Sequence, residues 1–370
     1  MICITPPSPY PSNSTAAISA SARSEIAARR VFVCEYVTGG GLYREAIPPA
    51  LAQEALLMRN AMLEGMLALG MQVSVVHDPR LPKPALSELR PACDVHILQS
   101  GEDPWALWQQ AVQDCDLVWL VAPESGGALE RLSAMVLAAN KGLLSCPPEA
   151  VALAASKYDT YCRLQGAALN VLPSWRAQEF FVQPASSKES SLWVAKPDDG
   201  ISCEGTALFQ DIDAMRTWLS AGRMESYVIQ PYIVGESASL SMLCRDGQAW
   251  LLSCNTQLIA QQQDTITSFQ YQGSVVNGMA QHWARFAEIA AQVTAAMPEL
   301  FGYVGVDLLM DEAGELHILE VNPRLTTSFA GIAKAIGYNP ACLLIDLFYN
   351  EHFTLPPDLQ RNRIEIKLND

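Results

Sequence analysis

The stretch VGVDLLMDEAGELHILEVNPR, from Val304 to Arg324, reads as two β-strands joined by a turn at Asp311-Glu312-Ala313-Gly314. Folding back at that turn brings Asp307 of the first strand near Glu320 and Asn322 of the second. The strand period of two puts Glu320 and Asn322 on one face. Glu320 stands inside the apolar run HILEV, where a bare carboxylate is costly to bury, so a bound cation accounts for it better than a solvated hairpin face does. Mg²⁺ prefers hard oxygen donors, keeps several waters and shares itself with substrate phosphates. Asp307, Glu320 and Asn322 therefore suit a metal that holds a nucleoside triphosphate.

Outward from this hairpin, a helix precedes it at 281–297 and further helices follow from about 328 to 349. Thr326, Thr327 and Ser328 lead into the second group, where their hydroxyls are expected to cap a helix N-terminus or to touch an acidic substrate. Upstream lie helical segments at 149–154, 156–166 and 211–221, strands at SLWVAKPDDG and 226–231, a hairpin around Arg245-Asp246-Gly247, and a polar region at 260–278 without defined elements. Strands and helices come here in runs, which predicts an α+β domain over 149–350. Residues 351–370 read as an appendage.

The beginning of the ordered chain has a different rhythm. VFVCEYV from Val31, MQVSVVHD (71–78), DCDLVWLVAP (114–123) and GLLSC (142–146) read as strands, with helices at 51–69 and from Gly126-Gly127 to about Asn140. That alternation predicts an α/β domain with a parallel sheet over 30–148, with ligands expected at the carboxyl ends of its strands, near Glu35, Thr38 and Gly39 to Gly41. Residues 1–29, rich in Ser, Pro and Ala, read as a disordered tail.

Composition sets the limits. The chain of 370 residues carries 24 Lys and Arg against 39 Asp and Glu, a formal charge of −15, which repels phosphate backbones and anionic membranes alike. Nucleic acid and membrane surfaces are not expected partners, and no apolar run is long enough to span a bilayer. The 10 cysteines lie singly, without a C-x-x-C pair, as in a reducing cytoplasm, so a cytoplasmic location is expected.

The arrangement Asp307…Glu320-x-Asn322-x-Arg324 is similar to the metal-binding hairpin of the ATP-grasp superfamily. The resemblance implies the ATP-grasp fold behind a parallel-sheet pre-ATP-grasp domain, with a small subdomain over about 155–232 and a large one over about 233–350. It implies ATP and Mg²⁺ or Mn²⁺ as cofactors, and leaves a homodimer open. Lys157 in SKYDTYCRL resembles the first nucleotide lysine and Lys196 in WVAKP the second. DDGISCEGT (198–206), with Gly200, resembles the loop that covers the phosphates. QPYIVGESAS (230–239) resembles the strand that grips adenine through the backbone of Gln230 to Ile233, Tyr232 included; Glu236, or Ser237 beside it, stands near the position of a ribose ligand. Catalysis falls to Lys196 and to Arg324, which would hold the transferred phosphate or a substrate carboxylate. Asn255 and Gln257, expected on one strand face, are candidates to meet an amino acid.

EYVTGGG, SASLS and EVNPRLTTSF look most like the tyramine-glutamate ligase family of methanofuran biosynthesis. That resemblance implies a ligase that phosphorylates the γ-carboxylate of L-glutamate and lets tyramine displace the phosphate, with an amino acid and an amine as small-molecule partners. Two alternatives stand beside it: another ATP-grasp amino-acid or pterin-glutamate ligase, and a non-catalytic nucleotide-binding regulatory protein.

Overall fold

The computed structural model describes residues 27–84, 93–182, 191–200, 203–263 and 266–368. The expected tail lies almost entirely outside them, as do residues 201 and 202 of the expected phosphate loop. Among the described residues, two sheets form the frame.

The first sheet is parallel. Strands β1 (Arg30–Glu35), β2 (Gln72–His77), β3 (Cys93–Ile97), β4 (Leu117–Val121) and β5 (Gly142–Leu143) lie in the order β3-β2-β1-β4-β5, flanked by helices α1 (Pro49–Ala68), α2 (Pro104–Asp114) and α3 (Ala128–Ala138). β1 and β4 are buried almost throughout, as the unbroken apolar runs VFVC and LVWLV demand of strands covered on both faces. The strand order reverses between β1 and β4, where Glu35 pairs with Val121, so a crevice opens at their carboxyl ends. Two elements have no counterpart in the sequence reading. β3 is an edge strand whose residues alternate between half-buried and exposed, and α2 is capped by Asp103, whose carboxylate accepts from the Trp105 amide.

The second sheet is antiparallel and is reached through helices α4 (Pro148–Ala155) and α5 (Lys157–Gly166). A small lobe holds β6 (Trp175–Arg176), α6 (Ala177–Phe180), β7 (Trp193–Pro197), β8 (Ala207–Phe209), α7 (Ile212–Ser220) and β9 (Tyr227–Pro231) around a core that includes Phe180, Trp193, Met215 and Ile229. A larger lobe holds β10 (Gly235–Arg245), β11 (Gln248–Gln263), β12 (Thr267–Val276), α8 (Trp283–Ala296), β13 (Gly302–Asp311), β14 (Leu316–Asn322), α9 (Phe329–Ile336), α10 (Pro340–Tyr349) and β15 (Ile364–Lys367). The order β14-β13-β10-β11-β12-β8-β7-β9-β6 joins both lobes, with β15 beside β12. Its connection is the short β8–β12 pairing of Leu208 with Thr267 and Ala207 with Ser268.

Two expectations change here. The polar region at 260–278 is the far half of a long hairpin: β11 runs to Gln263 and β12 from Thr267 to Val276. The exposed run Gln261 to Gln263 masks the end of β11, while β12 keeps a strand signal in the alternation of Phe269 and Tyr271 with Gln270 and Gln272. The expected appendage carries β15, which pairs with β12, while Phe353 and Ile366 are buried in the core. Gly273 takes φ +128° opposite Lys367, so close to the Ile366 carbonyl that a Cβ would run into it; a side chain there would push β15 off. Cys34, Cys93, Cys115, Cys146, Cys162, Cys203, Cys244 and Cys254 form no disulfide, and no helix among the described residues is long and apolar enough to cross a membrane.

Candidate active site

The β13–β14 hairpin forms where its alternation placed it. Asp307 pairs directly with Glu320, and the ladder slips immediately afterwards: Leu308 pairs with Ile318, leaving Leu319 as a bulge. A bulge re-aims its neighbours, and both Leu319 and Glu320 line the same cavity together with Asp307 and Asn322. Burial, and then the Glu320 charge, raise the Asp307 carboxyl well above the usual carboxylate range. Burial pushes Glu320 upward too, but Lys157 and Lys196 overcome it and hold this carboxyl below its ordinary value. Two buried carboxylates that oppose each other's ionisation form a site that a divalent cation relieves. The Asn322 amide donates to Asp307 Oδ2 at 3.3 Å and Gln257 donates to Oδ1 at 2.8 Å. A half-turn of the Asn322 amide would offer its oxygen instead. Among the described residues no three His, Cys, Asp or Glu side chains converge as a metal cage. Two carboxylates and an amide fit a metal that takes its other oxygens from phosphates and water.

The lysines reach this point from elsewhere in the chain. Lys196 is the penultimate residue of β7, and Lys157 opens α5 with its Nζ 3.3 Å from Glu320 Oε2. Asp198 locks the two elements together. Its carboxylate accepts from Ser156 Oγ at 2.8 Å and from the Tyr158 amide at 2.9 Å, while its carbonyl accepts from the Lys157 amide at 3.1 Å. Ser156 caps the helix in turn, accepting from the Asp159 amide. Lys157 Nζ also donates to the Gly200 carbonyl at 2.6 Å, so Gly200 is fixed to the lysine by its oxygen. Burial brings Lys196 down to about 8, with Glu320 opposing the shift and Lys157 adding to it.

These groups share a cavity of about 330 Å³ between the lobes. Leu172, Val194, Ile233, Leu309 and Leu319 give it an apolar end, and Tyr232 and Gln230 stand beside them. The Gln230 side chain is spent on Ser174, to which it donates at 2.7 Å, and the Tyr232 amide on the Leu192 carbonyl at 2.9 Å. Along β10, Ser237 and Ser239 face inward. Glu236 does not line the cavity; it is exposed beside Thr256 on the opposite face of the sheet, as period two requires. Gln257 lines the cavity, whereas Asn255 is buried under Ser239 and Ser241, donating to both hydroxyls. The capping expected of Thr326 to Ser328 does not occur, since Ser328 makes no side-chain cap to α9. Thr327 Oγ1 donates to Glu54 of α1 at 2.5 Å, Ser328 meets Ser274, and all three residues line the cavity.

Arg324 stands at the wall between this cavity and a second one of about 510 Å³ at the crevice of the parallel sheet. Its Nε donates to Glu124, which follows β4, at 2.9 and 3.0 Å from the two carboxylate oxygens. Burial alone would lower the Arg324 pKa, but the Glu124 charge and hydrogen bond raise it above its ordinary value. Glu35 lines the second cavity and accepts from the Val37 and Thr38 amides, which folds the triglycine turn behind it. Glu54, Glu124 and Asp198 are the groups of this site that sequence reading did not single out; in sequence they are unremarkable acids on a helix or a turn.

Comparison with known proteins bears on the family and the fold. The ATP-grasp domain family matches residues 154–328, and the pre ATP-grasp 3 domain family matches residues 71–151. The chain belongs to the ATP-grasp superfamily and is an enzyme of its ligase class. Within that class it is most like the tyramine–L-glutamate ligases. The Methanocaldococcus fervens enzyme of that name is 26% identical over 239 residues, spanning 65% of this chain and 68% of the relative. The Methanocaldococcus jannaschii enzyme of that name is 26% identical over 220 residues, spanning 60% of this chain and 59% of that relative, less than two thirds of its length. Among solved structures, the L-amino acid ligase from Bacillus licheniformis shares the fold with a TM-score of 0.60 at 16% identity, over 87% of this chain and 74% of that one.

Proposed function

We propose that the protein is a carboxylate–amine ligase that couples ATP hydrolysis to amide formation, with the γ-carboxylate of L-glutamate as acid and tyramine as amine, giving γ-glutamyltyramine, ADP and phosphate. The observation that carries this reading is the convergence of three cations, Lys157, Lys196 and Arg324, on the Asp307–Glu320 pair in one cavity. A carboxylate attacking the γ-phosphate brings two anions together, and fixed cations at that point lower the barrier without a protein nucleophile. Cys203, the thiol in the same wall, is held up to about 12 by burial and is no nucleophile.

Asp307, Glu320 and Asn322 would hold Mg²⁺ or Mn²⁺, which would supply charge neutralisation for the nucleotide's phosphates. Lys157 and Lys196 bind phosphate oxygens as point charges, and Arg324 orients the carboxylate and then the acyl phosphate with its planar fork. The apolar end between Leu172 and Leu309 suits a purine ring. The 26% identity to two tyramine–L-glutamate ligases supports the choice of substrates. The test is ADP release with glutamate and tyramine, each omitted in turn. Release that needs neither, or that follows a different acid or amine, overturns the substrate assignment.

A further inference from the structure

The second cavity lies where the order of the parallel strands reverses, lined by Glu35 to Val37 after β1 and by Val121 to Pro123 after β4. Leu51, Ala55 and Met58 of α1 complete an apolar wall. Among the described residues its charged lining is acidic, with Glu35, Glu45, Glu54 and Glu204 against one cation, Arg324, whose Nε is committed to Glu124. With Arg324 assigned to the acid substrate, the described residues of this wall offer no further cation for a carboxylate on the amine, whereas an ammonium meets several acids. Glu54 and Arg324 line both cavities, so Glu54 stands at the passage from one to the other.

Resting on the ligase reading above, we propose that this cavity is the amine site, that it takes a primary amine with an apolar or aromatic body and no carboxylate, and that Glu54 is the catalytic residue that binds the ammonium and removes its proton. Oε2 of Glu54 is occupied by Thr327, which leaves Oε1 for the amine. Burial raises the Glu54 carboxyl above its ordinary value, with Thr327 and Arg324 opposing the shift, as suits a group that must accept a proton at neutral pH. Glu54 takes one proton from R–NH₃⁺. The freed lone pair forms the C–N bond to the acyl carbon, the C–O bond to the phosphate breaks, and the electron pair leaves on the phosphate oxygen. The second nitrogen proton goes to the departing phosphate.

Hydroxylamine separates the two halves of the reaction, because it is neutral near pH 7 and attacks an acyl phosphate without a base. The experiment compares tyramine with hydroxylamine as acceptor in the wild type and in Glu54→Gln, at fixed glutamate and ATP. The expected result is an amide-to-hydroxamate ratio about 100-fold lower in Glu54→Gln; a ratio of rates is insensitive to partial loss of folded protein. Independently, Leu51→Trp narrows the cavity and raises the amine KM at least tenfold, and wild-type enzyme uses arylalkyl amines but not the corresponding amino acids. An unchanged ratio in Glu54→Gln, or tyrosine used as well as tyramine, overturns the assignment. Wild-type enzyme that forms no hydroxamate from glutamate sinks the substrate reading itself, an outcome separate from the others.

Discussion

Arg324 Nε sits between the two carboxylate oxygens of Glu124, at 2.9 and 3.0 Å, although 200 residues separate them in the chain. The pair is nearly buried, with side-chain exposures of 13% and 7%, and it joins the loop after β14 to the turn after β4. Breaking one half of a buried pair costs about 3–5 kcal/mol when nothing replaces it. Glu124 therefore acts as a positioning residue that fixes the guanidinium at the wall between the two cavities. Glu124→Gln keeps the shape and removes the charge. Its kcat is expected to fall at least tenfold with the ATP KM changed less than threefold, because the lysines and the metal ligands stay in place. Steady-state kinetics beside a urea midpoint separate this from plain destabilisation. A normal kcat would mean that Arg324 needs no anchoring.

The opposed carboxylates make a second prediction. Asp307 holds its proton far above the ordinary range because of burial and the neighbouring Glu320, so replacing it by Asn removes an unfavourable group from the ligand-free fold. Asp307→Asn is expected to match or exceed the wild type in thermal stability without ligand, while turnover falls about 100-fold and more divalent cation no longer restores it. Chelation of the wild type abolishes turnover reversibly. A chelated enzyme that still releases ADP rules out the metal role.

Lys196 has a pH signature. Its ordinary pKa of 10.5 is brought down to about 8 by burial, so below pH 8 the fold carries a buried cation that the unfolded chain exposes to water. Each pKa unit of such a shift is worth about 1.4 kcal/mol, which puts the cost at no more than roughly 3.5 kcal/mol. The sign follows: the cost is present below pH 8 and disappears between pH 8 and 10.5, so this group makes the ligand-free protein more stable as pH rises through that window. Nucleotide affinity runs the other way, because phosphate needs the cation. Lys196→Met is expected to gain about 1–3 kcal/mol without ligand at pH 7 and to lose nucleotide binding. Melting curves against pH, with and without ATP, read both effects.

The hairpin from Val304 to Arg324 was legible because alternation, a glycine turn and an acid in an apolar run all point the same way. The β1, β4 and α1 elements were legible for the same reason. Glu54 was not, since PALAQEALLMRN reads as an ordinary helix and only its packing against Thr327 gives the acid a partner. Glu124 was hidden likewise, its meaning lying wholly in a contact with Arg324. β3 does alternate over CDVHI, half-buried against exposed, but the signal is confined to five residues at a sheet edge. For Thr326 to Ser328, the hydroxyl-rich run before a helix looked like a cap, but the cavity and Glu54 compete for those hydroxyls.

Glu236 supplies the last prediction, because alternation decides between it and its neighbour. Ser239 pairs with Asp307 across β10 and β13, and cross-strand partners share a face, so the cavity side of β10 carries Ser239 and Ser237. Glu236 belongs to the other face, where Thr256 Oγ1 donates to it at 3.4 Å in an exposed contact worth well under ~1 kcal/mol. Glu236→Ala is therefore expected to leave the ATP KM within twofold and the melting temperature nearly unchanged. Ser237→Leu, placing a bulky apolar group at the cavity wall, is expected to raise the ATP KM at least tenfold. The comparison is internal to two adjacent residues, so expression, purity and assay conditions cancel. The reverse order of effects would mean that β10 presents its other face to the nucleotide, which the Ser239–Asp307 register forbids unless the whole strand slips by one residue.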